Sequence, residues 1–151
     1  MKIALASDHA GFNLKKLLVA YLSKEGHEIE DLGTNTLDSV DYPDYGYKLG
    51  EEIISKDYDF GIGICGSGIG ISIACNKVAG IRAALIYNKE TATLAKEHNN
   101  ANIICLGARL TSQRKAIILV DTFISSKFDD TNSRHLRRIN KLNKEGGCGC
   151  E

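Results

Sequence analysis

The sequence lacks an excess of charge of either sign, and it lacks a long apolar run. Its 151 residues include 19 basic and 19 acidic side chains, so no net charge draws the chain to nucleic acid or to a membrane surface. The longest stretch without a charged residue covers 17 residues, 60–76, and contains five glycines. A membrane-spanning helix needs roughly 20 apolar residues, which excludes one here. The composition is otherwise close to globular averages and rules out a disordered chain, a collagen or a coiled coil.

The chain also lacks the even set of cysteines that a disulfide framework requires. It has five, and its first residues are too few and too soon charged to act as a signal peptide. We therefore expect a cytoplasmic protein with reduced thiols. Cys148 and Cys150 lie in segment 144–151, for which we predict a flexible tail rich in glycine and cysteine. Two cysteines lack the further ligands of a closed zinc site, so we predict no metal there.

Charge is distributed unevenly along the chain. Residues 1–60 contain 6 basic and 12 acidic side chains, whereas residues 101–151 contain 9 basic and 5 acidic ones. The acidic beginning and the basic end are able to meet within one molecule or across a dimer. The basic end is also suited to hold an anionic ligand.

Short apolar runs alternate with amphipathic segments. We predict strands at residues 2–7, 27–32, 60–65, 82–87 and 102–107. We predict helices from about residue 14 to Gly26 and at 43–56, 71–77, 89–99, 112–126 and 134–143. Strands that alternate with helices form βαβ units and build a parallel sheet covered on both faces. The predicted fold is therefore α/β, a Rossmann-like three-layer sandwich with a five-stranded parallel sheet, in one domain over residues 1–143.

Ligands of such sheets bind beyond the carboxyl ends of the strands, and Cys65–Gly70 is the densest signal there. This Cys-Gly-Ser-Gly-Ile-Gly segment lies between a predicted strand and a predicted helix. Its glycines allow a tight turn whose N–H groups converge as in an anion-binding nest. The positive end of the helix dipole adds to that field and favours the thiolate form of Cys65. A base or nucleophile would then lie beside an oxyanion site. A buried structural cysteine is the alternative, and the glycines favour function.

Three known phosphate and nucleotide motifs do not fit this segment. Residues 61–66 match G-x-G-x-x-G, but their first glycines lie inside the predicted strand, and no acidic residue near Ile86 is available to bind a ribose. A P-loop needs Gly-Lys-Ser/Thr, which the chain lacks. A cysteine-phosphatase loop needs an arginine at the position of Ile71. The interpretation that remains for this segment is a turn that binds a phosphate or an oxyanion and carries an unusual thiol.

Three other groups of polar residues are candidates for chemistry. Asp8 and His9 follow the first strand, and Asp8 is suited either to cap a helix or to contact a polar ligand. His98 ends a helix, where a dipole-stabilised cap and an acid–base group are both open interpretations. Arg134 and Arg138 share one face of the last helix and are suited to bind one anion. An ordinary solvated basic face is the alternative for these arginines.

Several motifs together resemble one family. They are Asp8-His9-Ala10-Gly11, Asp41-Tyr42-Pro43-Asp44, residues 64–74, Asn76-Lys77, Gly80-Ile81-Arg82-Ala83, Glu97-His98-Asn99 and Arg134-His135. In this order they resemble the B-type ribose-5-phosphate isomerases, which share a family with the galactose-6-phosphate isomerase subunits. The resemblance covers residues 2 to about 143.

The resemblance implies an aldose–ketose isomerisation without metal or cofactor. Cys65 would move a proton between C2 and C1 of the sugar, while Ser67 and the turn amides would hold the enediolate oxygen. His98 would protonate the ring oxygen as the furanose opens. The substrate-binding residues that it implies are Asp8, His9, Tyr42, Gly66, Gly68, Ile69, Gly70, Asn99, Arg109, Arg134 and Arg138. Family members share residues between subunits, so we expect a homodimer or a dimer of dimers.

The resemblance leaves alternatives open. Residues 131–135 depart from the Gly-Gly-Arg-His that is common in the family, so the choice among Arg134, Arg137 and Arg138 as phosphate ligands stays open. Arg138 fits better than Arg137 because it shares a helix face with Arg134. Galactose 6-phosphate and allose 6-phosphate are alternative substrates. A non-catalytic module that binds a sugar phosphate is an alternative of a different class.

Overall fold

A computed structural model describes residues 1–145 of the chain. Strands and helices alternate along this part. They are β1 (Lys2–Ser7), α1 (Phe12–Lys24), β2 (Glu28–Asp31), α2 (Tyr42–Ser55), β3 (Phe60–Cys65), α3 (Ile69–Asn76), β4 (Ala83–Leu85), α4 (Lys89–Glu97), β5 (Ile103–Gly107), α5 (Gln113–Ser125) and α6 (Ser133–Glu145).

The strands form one five-stranded sheet in the order β2-β1-β3-β5-β4, and every neighbouring pair is parallel. This confirms the predicted α/β fold. Ser7 of β1 lies opposite Ile64 of β3, and Cys65 lies opposite Gly107 of β5. The three central strands therefore end at nearly the same level, which brings the residues that follow them to one edge of the sheet.

Alternate residues of β3 enter two hydrophobic layers. Ile62 and Ile64 pack in the layer with α1, α4 and α5, whereas Cys65 packs in the layer with α2 and α3. Gly61 faces the second layer, where a Cβ atom would lie 3.0 Å from Leu49 Cδ1 of α2. The first glycine of the G-x-G-x-x-G match therefore serves close packing of α2 on the sheet.

Local sequence signals account for several helix starts. Asp41 is the extended N-cap of α2, with Pro43 in the first turn, where a missing N–H costs no hydrogen bond. In α4, the Thr91 N–H donates to Asn88 Oδ1 at 2.7 Å and the Asn88 N–H donates to Thr91 Oγ1 at 3.2 Å. The Asn88–Thr91 pair satisfies donors that the helix itself leaves free, whereas Pro43 removes one of them.

The observed elements differ from the prediction mainly at their ends. The helix α3 begins at Ile69, two residues before the predicted start, so Ile69 and Gly70 are helical. The edge strand β4 has three residues instead of six. At its free edge, the Asn76 side chain replaces a neighbouring strand, since its amide donates to Ala83 O and accepts from the Ala83 N–H at 2.9 Å each. Short, covered edges oppose pairing with other chains.

The last helix, α6, ends at Glu145, two residues beyond the predicted end. His135 and Ile139 are buried, whereas Leu136 and Leu142 are exposed. The remainder of the predicted tail, residues 146–151 with Cys148 and Cys150, lies outside the described residues. Within residues 1–145, no helix is long and apolar enough to cross a membrane.

Candidate active site

Cys65 ends β3 at the mouth of a surface cleft and is only 3% exposed. The Gly68 N–H donates to its Sγ at 3.1 Å, which fixes the sulfur against the backbone of the turn. Gly68 adopts a left-handed conformation with φ of +78°. A Cβ atom on it would lie 2.6 Å from Leu85 Cδ1 and 2.8 Å from the carbonyl carbon of Leu106. Glycine is therefore required both for the turn and for the approach of β4 and β5.

The turn after Cys65 is joined to the end of β5. The Ala108 N–H donates to Cys65 O at 2.9 Å, and the Arg109 N–H donates to Gly66 O at 3.0 Å. The Arg109 guanidinium covers Gly66, where an added Cβ atom would lie 3.1 Å from Nη1. Ser67 is partly exposed, and its Oγ accepts from the Ile69 N–H at 3.2 Å. A positive charge and a hydroxyl group thus lie beside the thiol.

Asp8 brings the end of β1 to this cleft. It is buried, its Oδ1 accepts from the Gly11 N–H at 3.0 Å, and its own N–H donates to Ile64 O at 3.1 Å. Gly11 packs so tightly that a Cβ atom would lie 2.7 Å from Ile64 O. The carboxylate therefore accepts a hydrogen bond from the residue just before α1. It also lines the cleft.

Tyr42, the first residue of α2, completes the cleft from the other side. A Cβ atom on Gly70 would lie 2.6 Å from Cζ of the Tyr42 ring, so the ring rests directly on the first turn of α3. The cleft has a volume of about 290 Å³. Its lining residues are Asp8, Tyr42, Cys65, Gly66, Ser67, Gly70, Arg109 and Leu110. Seven of these eight are sequence-predicted site residues, and Leu110 is the addition.

His9 lies next to Asp8 in the chain and is held by the loop before α2. The Val40 N–H donates to His9 Nδ1 at 3.2 Å. The Val40 carbonyl oxygen lies 3.3 Å from the same ring nitrogen. The backbone of Val40 therefore holds the His9 ring through Nδ1, and Nε2 is left outside this contact.

The remaining predicted residues belong to another part of the molecule. His98 is the C-cap of α4, and its ring stacks on His135 with 4.3 Å between ring centroids. Asn99 lines a second cavity of about 540 Å³ between β4 and α6. Arg134 and Arg138 lie on α6 and do not line the Cys65 cleft. Within one chain, the structure does not bring these four residues to the walls of that cleft.

Arg82 is a residue to which the sequence assigned no role. It is half-buried, and burial lowers the pKa of its guanidinium. Its Nε donates to Asn99 O at 3.1 Å, and its Nη2 donates to Asn100 O at 2.8 Å. Asn100 has a φ of +42°, so these bonds hold a left-handed turn directly after His98. The motif Gly80–Ala83 marked this arginine, but no local pattern indicated its partners.

The other described cysteines are packing residues. Cys75 and Cys105 are fully buried in the layer with α2 and α3. A side-chain contact with Cys75, together with burial, raises the pKa of Cys105 well above its usual value. In residues 1–145, no group of three or more His, Cys, Asp or Glu side chains is placed to hold a metal ion.

Comparison with known proteins places these features in a family context. A family model described as Ribose/Galactose Isomerase matches residues 3–142. The probable ribose-5-phosphate isomerase B of Mycoplasma genitalium is 41% identical over 142 residues, covering 93% of this chain and 92% of that protein. The ribose-5-phosphate isomerase B of Escherichia coli is 38% identical over 141 residues, covering 93% of each chain.

Solved structures show the same likeness. A ribose 5-phosphate isomerase of Thermotoga maritima is 51% identical and superposes with a TM-score of 0.91 over 95% of this chain and 97% of that one. The ribose-5-phosphate isomerase B of Mycoplasma genitalium, solved with bound ribulose-5-phosphate, is 40% identical, with a TM-score of 0.88 over 95% of this chain and 94% of that one.

Proposed function

This chain belongs to the Ribose/Galactose Isomerase family, and we propose that it interconverts ribose 5-phosphate and ribulose 5-phosphate through an enediolate. It is an isomerase by family membership. The observation that carries the proposal is the Cys65 thiol, which receives the Gly68 N–H and shares a cleft with Asp8, Ser67 and Arg109. Its relative with bound ribulose-5-phosphate supports a five-carbon substrate.

In the proposed reaction, the Cys65 thiolate removes the proton at C2 of the open-chain aldose. The electrons of that C–H bond form the C1–C2 double bond, and the carbonyl electrons move to the oxygen on C1. Donors beside this oxygen are required because a proton next to a carbonyl is otherwise too weakly acidic for a thiolate. The Ser67 hydroxyl and the N–H groups of the turn are such donors, and a well-placed donor contributes about 3 kcal/mol. A proton then passes from the oxygen on C2 to the oxygen on C1. As the C2 carbonyl forms, the electrons of the C1–C2 double bond take the proton back from Cys65 at C1, so no cofactor is consumed.

The phosphate and the sugar hydroxyls occupy the rest of the proposed site. Arg109 lines the cleft and supplies a planar pair of donors suited to phosphate, and His9 offers its ring nitrogen Nε2. Asp8 and Tyr42 are placed to bind hydroxyl groups of the sugar. Binding of the phosphate, remote from the reacting carbons, orients the substrate for proton transfer.

A second copy of the chain completes the site in this proposal. Ile73 is 56% exposed and Leu110 is 71% exposed, and they lie on α3 and at the mouth of the cleft. Covering these apolar side chains with a second copy would stabilise a homodimer. That copy would bring its His98, Asn99, Arg134 and Arg138 to the Cys65 cleft, where His98 protonates the ring oxygen during furanose opening.

The test is the variant Cys65→Ala. A general base contributes roughly 10²- to 10⁴-fold, so we expect kcat for ribose 5-phosphate to fall at least 100-fold while calorimetry still detects substrate binding. The matched control is Cys75→Ala, which removes a buried thiol and keeps turnover. If Cys65→Ala retained most of its turnover, the assigned base would be wrong.

A substrate panel separates the alternatives. The proposal expects a higher kcat/KM for ribose 5-phosphate than for galactose 6-phosphate or allose 6-phosphate. A module that only binds sugar phosphates would show saturable binding but no deuterium from solvent at C1 or C2 of the sugar.

A further inference from the structure

The side chain of His135 lies flat on the ring of His98. The two ring centroids are 4.3 Å apart, and the ring planes differ by 18°. His135 belongs to α6 and is only 4% exposed. The stacked pair therefore forms part of the contact between α4 and α6 and withdraws the His135 ring from solvent.

Backbone hydrogen bonds hold both rings in place. The Asp129 N–H donates to Glu97 O at 3.1 Å, which ties the segment before α6 to the residue preceding His98. The His135 N–H donates to Asn132 O at 2.9 Å. The segment that leads into α6 is therefore tied to the end of α4, next to His98.

We propose that His135 is a positioning residue for His98, which it holds in the plane needed to deliver a proton to the ring oxygen of the sugar. The inference rests on the proposed role of His98 in ring opening. Stacking occupies the face of the His98 ring and leaves the ring edge, with both nitrogens, free to meet the substrate. Orientation matters here, because small displacements of an acid–base group cost large factors in rate.

The charges around the stack determine which ring stays neutral. Two protonated imidazole rings at this distance repel each other, so the stack favours a single charge. Burial, followed by His98 and Arg134, lowers the pKa of His135, and Arg138 acts in the same direction. Asp129, the acidic group that faces it, raises this pKa by less. The lowered pKa keeps the His135 ring neutral at neutral pH.

The test compares two substrates that differ in ring opening. Ribose 5-phosphate is largely a furanose, whereas its analogue without the 4-hydroxyl group cannot close that ring. The ratio of kcat/KM for ribose 5-phosphate to kcat/KM for the analogue therefore reports ring opening, and the proton transfer by Cys65 cancels from it. We expect His98→Asn to lower the ratio at least 100-fold and His135→Leu to lower it about tenfold.

Two further variants separate positioning from stability. His135→Phe keeps a flat ring and should keep the ratio within about twofold of the wild-type value. His27→Leu makes the same change as His135→Leu at the opposite edge of the sheet and should leave the ratio unchanged. Toward acidic pH, the ratio should fall in the wild type relative to His135→Phe, because protonated His135 repels a protonated His98.

The outcomes are distinguishable. Equal losses on both substrates in His135→Leu, or a ratio unchanged by this variant while His98→Asn lowers it, would overturn the positioning role and leave the proposed function intact. A ratio unchanged by His98→Asn overturns the ring-opening role of His98 and the inference with it. Absence of turnover for both substrates in the wild type overturns the proposed function itself.

Discussion

Backbone atoms set nearly every position at the Cys65 turn, whereas side chains set the positions at the His98 end of α4. Cys65 and Gly66 accept backbone hydrogen bonds from the two residues that follow β5. At Gly68, an added Cβ atom would lie less than 3 Å from Leu85 and from the backbone of β5. His98 depends instead on a stacked histidine from α6 and on an arginine that clamps the turn after it. The proton-transfer half of the proposed site is thus part of the sheet itself. The ring-opening half depends on contacts between residues distant in the chain.

The largest expected effect comes from adding a methyl group to the turn after Cys65, where backbone atoms set the geometry. In Gly68→Ala, the Cβ atom collides with Leu85 and with the backbone of β5, and the Gly68 N–H leaves the Cys65 sulfur. We expect kcat to fall at least 100-fold, as steady-state kinetics would show. The free energy of unfolding should fall by more than the roughly 1–2 kcal/mol that a left-handed conformation costs a residue other than glycine.

The control is Gly26→Ala. Gly26 also has a positive φ, of +85°, but nothing lies within 4 Å of an added Cβ atom. Urea denaturation of this variant should show only the conformational cost, and kcat should stay at the wild-type value. Equal effects at the two glycines would mean that close packing contributes nothing to the Cys65 turn.

The next effect tests whether the two halves come from different copies of the chain. Cys65→Ala and His98→Asn should each be nearly inactive toward ribose 5-phosphate. Refolding an equal mixture produces about half mixed dimers, each with one intact site of two, so activity should return to about a quarter of the wild-type value. A mixture as inactive as its components would show that both residues act within one chain.

The smallest effect concerns His135, which stacks on His98, and the way in which its protonation makes stability depend on pH. Because burial holds the pKa of His135 below its ordinary value of 6.5, the unfolded chain binds a proton at this site more readily than the folded chain. The free energy of unfolding should therefore decrease as the pH falls below about 6.5, and the decrease should level off below the folded-state pKa. Urea denaturation across this range should show a smaller decrease in His135→Phe, and identical decreases would contradict the assignment.

Local patterns predicted the parts of the fold that depend on local residues. The bounds of β1 and β3 are those expected. Each strand is a continuous apolar run, and the charged or glycine-rich residues on either side mark where it begins and ends. The strand β4 is shorter than expected. The Asn76 side chain pairs with its edge position Ala83, and no sequence period reveals such a contact. The early start of α3 follows from the left-handed Gly68, which lets the helix begin inside the glycine-rich turn.

The same division holds for the candidate site. The sequence by itself determined that Cys65, Ser67 and Asp8 lie at one edge of a parallel sheet, because the carboxyl ends of parallel strands converge there. Only the tertiary structure decided that His98 stacks on His135 and that Arg82 holds the turn at Asn99. These contacts join residues at least 17 positions apart. They arise when α6 and β4 pack against the end of α4, and the sequence carries no periodicity for interactions of that range.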